Sequence, residues 1–227
     1  MRLDRFLAEA GIASRKDIKK IIRSGRVTVN GLPAASSDLK LDELKDAVAL
    51  DGKPVPYRAF RYFMMDKPSG IITKDVCSLL PEELSRLGLF PVGRLDKDTT
   101  GLLLLTNDGD FAHKVISPKY EVWKRYRAVT EGIAAAEDEK AFSEGLLLRD
   151  GLQCLPALLE TTGTDVCFVS VSEGKYHQVK RMLASRGKPV VELRRLSIGG
   201  LELKKGLEGG GLCELSQEEI EKIFTPK

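Results

Sequence analysis

The stretch Gly93-Arg94-Leu95-Asp96-Lys97-Asp98-Thr99-Thr100-Gly101-Leu102-Leu103-Leu104-Leu105-Thr106-Asn107-Asp108-Gly109 decides how this chain is read. Its first half is polar and charged; its second begins with an unbroken leucine run. That pattern predicts a loop feeding directly into a buried strand, where rigid scaffolds tend to carry their chemistry. Arg94 and Lys97 flank Asp96. Neighbouring cations favour the charged form of a carboxylate, which suits a nucleophile or base better than an acid. Aspartate also forms turns, and local chemistry leaves both roles open.

Other readings of the stretch fail. Asp96, Asp98 and Gly101 imitate the start of a calcium loop, but the bidentate glutamate such a loop needs is replaced by Asn107, and a strand follows instead of a helix. No G-x-x-x-x-G-K-[ST] or G-x-G-x-x-G cradle for phosphates occurs. Cys77, Cys154, Cys167 and Cys213 are widely spaced without a C-x-x-C, and the chain has 2 histidines. Neither a zinc site nor a disulfide framework is expected, and the cysteines read as reduced, partly buried small hydrophobes. The expectation is no metal and no cofactor.

Outward from that stretch, 42% hydrophobic and 30% charged residues describe a soluble globular chain with no apolar run long enough for a bilayer. The start, MRLDRFLAEAG, carries Asp4 and Glu9 and lacks an apolar core, so no signal peptide is expected. A cytoplasmic monomer is the expectation. The net charge of +3 is uninformative, but its distribution is not. Residues 1–30 hold eight Lys/Arg against three acids, and residues 175–195 hold seven against Glu192 alone. Two basic patches on a near-neutral background suggest a polyanion gripped at two places.

The first thirty residues predict two short helices. Leu3, Phe6 and Leu7 recur at helical spacing up to Gly11, and Ser14 with Asp17 starts the second. Ile18, Ile21 and Ile22 form its apolar stripe, while Arg15, Lys16, Lys19, Lys20 and Arg23 share the other face. Like charges at this spacing repel, so a sequence that tolerates them, with Arg26 close behind, is suited to phosphates. Strands are expected at 27–29, 47–50 and 53–55, turning at Asn30-Gly31 and Asp51-Gly52. Pro54, Pro56, Tyr57 and Arg58 mark a linker, dividing the chain into domains 1–58 and 59–227. Beyond it, strands are expected at 62–65, 101–106, 122–130 and 166–171, with Asn107-Asp108-Gly109 as a turn. Helices are expected at 137–144, 176–186 and after Ser216. The irregular interleaving predicts an α+β fold with a mixed, mainly antiparallel sheet.

Four segments together resemble a known family. The 93–109 stretch is similar to the G-R-L-D-x-x-T-x-G-L-L-L-L-T-N-D-G signature of pseudouridine synthases of the small-subunit ribosomal RNA type. Lys67-Pro68-Ser69-Gly70, Lys124-Arg125-Tyr126-Arg127-Ala128-Val129 and Glu173-Gly174-Lys175-Tyr176-His177-Gln178-Val179-Lys180-Arg181-Met182-Leu183 resemble its other motifs, in family order. Val190 to Leu193 and Ile198 to Leu201 resemble the small-subunit branch. Residues 1–31 resemble the S4 RNA-binding domain through L-D-R-F-L, S-R-K-D and S-G-R-V-T-V-N-G.

The resemblance implies isomerisation of a uridine in ribosomal RNA or a pre-ribosomal particle, with Asp96 as the essential carboxylate and no cofactor. Tyr126 would stack on the target base, Lys180 would pair with Asp96, and Leu183 would lie beside the uracil. Arg94 would sit at the substrate site, and Arg181 would face outward to phosphate. His113 and His177 are assigned no chemistry; His177 is expected to hold a turn or touch RNA. The route taken by the aspartate stays open, as do a large-subunit RNA substrate and a purely RNA-binding role.

Overall fold

The computed structural model describes residues 1–43, 45–56 and 58–225; the linker residue Tyr57 lies outside them. By Cα packing the chain forms two compact units, one of residues 1–61 with 77–90, the other of residues 62–76 with 91–227.

The first unit contains α1 (Leu3–Glu9), α2 (Arg15–Arg23), β1 (Val27–Val29), β2 (Leu32–Pro33), β3 (Val48–Leu50), β4 (Lys53–Pro54) and α3 (Glu82–Ser85). Its strands run in the order β2-β1-β3-β4. Leu3, Phe6 and Leu7 pack with Ile18 and Ile22 against Val27 and Val48, as the helical spacing requires. Ser14 caps α2 by accepting from the Asp17 N–H, while its hydroxyl donates to the Asp17 carboxylate at 2.6 Å. Asn30-Gly31 and Asp51-Gly52 all adopt positive φ, the backbone that a two-residue hairpin matched to strand twist demands. β2 was not expected, because Leu32–Pro33 is too short to show an alternating pattern and contains a proline.

The second unit holds β5 (Tyr62–Lys67), β6 (Phe90–Val92), β7 (Thr100–Thr106), α4 (Gly109–Ile116), β8 (Lys124–Thr130), α5 (Ala136–Glu144), β9 (Leu158–Thr161), β10 (Val166–Val171), α6 (Gln178–Ser185), β11 (Val190–Ile198), β12 (Leu201–Glu202), β13 (Leu212–Glu214) and α7 (Gln217–Lys222). Its sheet runs β13-β5-β7-β11-β8-β10-β9, with β12 on β11 and β6 on β7. The β7/β11 pair is parallel, whereas β5/β7, β8/β11 and β8/β10 are antiparallel. The mixed, mainly antiparallel α+β architecture is therefore present.

Two apolar clusters anchor this unit. Met64, Leu102, Leu104, Phe111 and Ile198 belong to one; Ala128, Val169, Met182, Leu183 and Leu193 belong to the other. Between β7 and β11, a Cβ on Gly101 would lie 2.2 Å from the Arg195 carbonyl oxygen, at φ +104. Only glycine permits that approach and that backbone.

Two expectations are corrected. Asn107-Asp108-Gly109 is not merely a turn: Asp108 caps α4, its Oδ1 accepting from the Phe111 N–H at 3.0 Å. Aspartate before glycine fits both roles, and packing of Phe111, Ala112 and Val115 selects the helix. The nine-residue β11 was missed because Glu192, Arg194 and Arg195 interrupt its apolar pattern. No described helix is long and apolar enough to cross a membrane.

Candidate active site

The loop bearing Asp96 is held from beneath by two side chains. Lys67, at the end of β5, is wholly buried, and its Nζ donates to the carbonyls of Pro68 at 2.9 Å, Thr99 at 3.0 Å and Lys97 at 3.3 Å. An ammonium has three donors and no acceptor, so three carbonyls satisfy it. Burial pushes its pKa below the usual lysine value. Thr73 donates to the Leu95 carbonyl at 2.6 Å and accepts from the Leu95 N–H at 2.9 Å. The Thr99 N–H then closes onto the Asp96 carbonyl at 3.2 Å. Asp96 thus sits on a pinned backbone.

Its carboxylate meets α6. His177 Nε2 lies 3.3 Å from Asp96 Oδ1, and Lys180 Nζ lies 3.7 Å from Oδ2. Lys180 is nearer to Asp98, donating to its Oδ1 at 2.6 Å, and that bond holds the Asp98 carboxyl below its ordinary pKa. The Lys180 pairing expected from the motif is therefore present but shared. The sequence reading gave His177 a turn or an RNA contact and missed its place beside Asp96. The histidine precedes α6 in the left-handed conformation, at φ 49, and stacks on Tyr176 with ring centroids 3.9 Å apart. Its three-residue spacing from Lys180, one helical turn, was the available signal.

A cavity of about 290 Å³ opens here, lined by Arg94, Asp96, Tyr126 and His177 among others. Tyr126 and Lys124 are two residues apart on β8 and so share a face of the sheet. Across the strand pair, Arg195 of β11 stands opposite Tyr126. Its Nη1 lies 3.4 Å from the Tyr126 hydroxyl, and its Nε donates to the Leu102 carbonyl at 2.7 Å. Lys124 donates to the Val115 carbonyl at 3.0 Å, and burial, helped by the Arg195 charge, lowers its pKa to about 8. Neither Lys124 nor Arg195 was singled out in the sequence as a cavity group. Val171, Val179 and Leu193 supply apolar wall.

Leu183 does not reach this space. It is wholly buried in the core and absent from the cavity lining, whereas Val179, one turn earlier, is part of it. Arg181 is not a free outward cation: its guanidinium pairs with Asp150 at 2.5 Å. In the first unit, Arg15, Lys16, Lys19, Lys20, Arg23 and Arg26 are all exposed. Arg15, Lys16 and Lys19 line one groove with Arg2 and Arg5, two cations the sequence reading omitted. Lys20 is tied to Asp17, and Arg26 makes a two-pronged pair with Asp51. Among the described residues no group of three or more His, Cys, Asp or Glu could hold a metal ion.

Comparisons with known proteins identify the family. Residues 61–185 match the RNA pseudouridylate synthase family and residues 1–43 match the S4 domain. An uncharacterized RNA pseudouridine synthase, YtzG, of Bacillus subtilis (strain 168) is 40% identical, covering 100% of both chains. Ribosomal small subunit pseudouridine synthase A of Vibrio cholerae serotype O1 is 38% identical over 99% of this chain and 100% of its own. The Escherichia coli (strain K12) protein of the same name is 39% identical over 98% and 100%. A crystal structure of a pseudouridylate synthase superposes with a TM-score of 0.69 at 35% identity, covering 98% of this chain and 99% of that one. With its signature loop, cavity and S4 domain in place, the chain belongs to the RNA pseudouridylate synthase family and is an RNA pseudouridine synthase.

Proposed function

We propose that this enzyme isomerises a uridine of small-subunit ribosomal RNA, with Asp96 as its catalytic carboxylate. The observation that carries the site assignment is that Asp96, paired with His177 and Lys180, lines with His177 a cavity shared with Tyr126. The substrate assignment rests on full-length similarity to relatives named for the small subunit, S4 domain included.

In this reading the exposed basic face of α2 and its neighbouring groove grip folded RNA through phosphates. The target uridine leaves its stack and enters the cavity, where Tyr126 replaces the lost stacking. The C1′–N1 bond breaks, the uracil turns, and C5 joins C1′. The C5 proton leaves and N1 gains one, so the product is an isomer. Lys180 and His177 fix the Asp96 carboxylate towards the sugar, and Arg94 faces the substrate at the cavity wall. Sitting in core, Leu183 supports α6 and leaves the base contact to Val179.

Carbodiimide primer extension across both ribosomal RNAs tests this in strains lacking the gene, complemented with the intact chain, or complemented with Asp96→Asn. A small-subunit stop restored by the intact chain alone is expected, with Asp96→Asn at least about 10³-fold slower in vitro. A stop confined to large-subunit RNA would replace the substrate and leave the site assignment standing.

A further inference from the structure

We propose that Arg195, with Lys124 beside it, forms an anion-stabilising floor of the cavity that takes the negative charge developing on the uracil when the C1′–N1 bond breaks. The proposal rests on the pseudouridine synthase activity but not on which RNA is the substrate. Arg195 is 4% exposed and Lys124 7%, and both line the cavity. Buried cations are ordinarily paired, because burial strips their hydration. Here neither has a carboxylate partner among the described residues. The two carboxylates in the lining are engaged elsewhere: Asp96 by His177 and Lys180, and Glu173 by Lys175, the Leu155 N–H and the Gln178 amide. Arg195 Nη2 is buried without any hydrogen-bond partner, and so is the Thr99 hydroxyl, which lines the same cavity. The guanidinium is anchored through Nε to β7, and its terminal nitrogens lie at the Tyr126 end. An orphaned donor and an uncompensated charge pair therefore stand beside Tyr126, the residue proposed to stack on the base.

The chemistry calls for such a floor. When C1′–N1 breaks, the bonding electron pair departs with the base, and the charge spreads from N1 onto O2 and O4. It is discharged when C5 forms its bond to C1′, loses its proton, and N1 is protonated. Fixed donors aimed at charge that exists only during reaction stabilise the transition state more than the ground state. Arg195 would fill this role directly; Lys124, carrying its proton below a pKa of about 8, adds positive potential.

The test uses the full-length chain in single-turnover assays on whichever RNA shows a stop dependent on this protein. The target position is made as uridine or as 5-fluorouridine, whose electron-poor base leaves more readily. C5 of the fluorinated base carries no proton to lose, so on both RNAs the readout is loss of the N1-linked starting nucleoside, resolved after nuclease digestion. Arg195→Met should slow the uridine reaction about 100-fold, with RNA affinity within about threefold, and the loss should shrink at least about tenfold on 5-fluorouridine RNA. Arg195→Lys keeps the charge without the fork and should fall between. It decides the matter if Arg195→Met does not fold, since Nε also ties β11 to β7. Equal losses on both RNAs, a loss that tracks RNA affinity or thermal stability, or no loss at all would overturn the proposal.

Discussion

Lys180 and Leu183 sit one turn apart on α6 and do different work. Lys180 faces the loop and divides its charge between Asp96 and Asp98. Leu183 faces the core with Met182 and Leu193. Truncating a buried leucine removes apolar contact and leaves a cavity, so Leu183→Ala should lower unfolding free energy by about 2–5 kcal/mol in urea melts. The turnover of the molecules that remain folded should be nearly unchanged; a large loss of kcat at intact stability would instead place Leu183 at the substrate. His177 tests the other direction. Asparagine tolerates its left-handed backbone, so His177→Asn should leave the fold intact while slowing turnover by about 10-fold or more through a less constrained Asp96. Unchanged turnover would make His177 a turn residue alone.

At the scale of elements, the site depends on how closely β7 and β11 approach. Gly101→Ala would drive a Cβ into the Arg195 backbone at a positive φ. The strand pair must separate, and a loss above about 3 kcal/mol, read by thermal or urea unfolding, is expected. The neighbouring β8 carries a pH signature. Burial depresses the folded-state pKa of Lys124 to about 8, against about 10.4 for an unperturbed lysine. Below about 8 both states hold the proton, and the folded state bears the full cost of the buried charge. Between about 8 and 10.4 the unfolded chain binds more protons, so this group makes stability rise with pH across that window. Lys124→Met should remove that rise, of order 2–3 kcal/mol, seen by comparing both proteins at pH 7 and about pH 10. Parallel pH profiles would show that Lys124 titrates normally.

Across the whole molecule, function requires a grip on RNA and a place for one base. The grip proposed for α2 is electrostatic: the helix buries Ile18 and Ile22 and leaves Arg15, Lys16, Lys19 and Arg23 exposed. Replacing Lys16, Lys19 and Arg23 together with glutamine should weaken RNA binding at every sequence. It should also reduce the slope of log affinity against log salt by about 2–3, measured by filter binding. An unchanged slope would move the phosphate contacts elsewhere. These side chains face away from the apolar stripe, so the fold should not suffer.

Local signals in the chain determined much of this protein. Helical spacing at Leu3, Phe6 and Leu7, the Asn30-Gly31 and Asp51-Gly52 turns and the leucine run of β7 each state their conformation within a few residues, because turn sterics and apolar periodicity are short-range. The loop around Asp96, with Tyr126 and Lys180, was singled out instead by resemblance to family motifs, each carried by a contiguous segment. Tertiary structure decided the rest. Asp108 became a helix cap only because Phe111 and Val115 had a core to enter. β11 is a strand despite its charges because β7 and β8 flank it, and Arg195 becomes a cavity group only through that pairing. Lys67 stood in the sequence as the first residue of a family motif, and only its burial beneath the loop gave it three carbonyls to hold. His177 meets Asp96, 81 positions earlier in the chain, through a contact that no local pattern encodes. What short-range sterics and periodicity could express was written in the sequence. What depended on which distant strand lies alongside, and on which charges lose their water there, was settled only when the sheet closed around them.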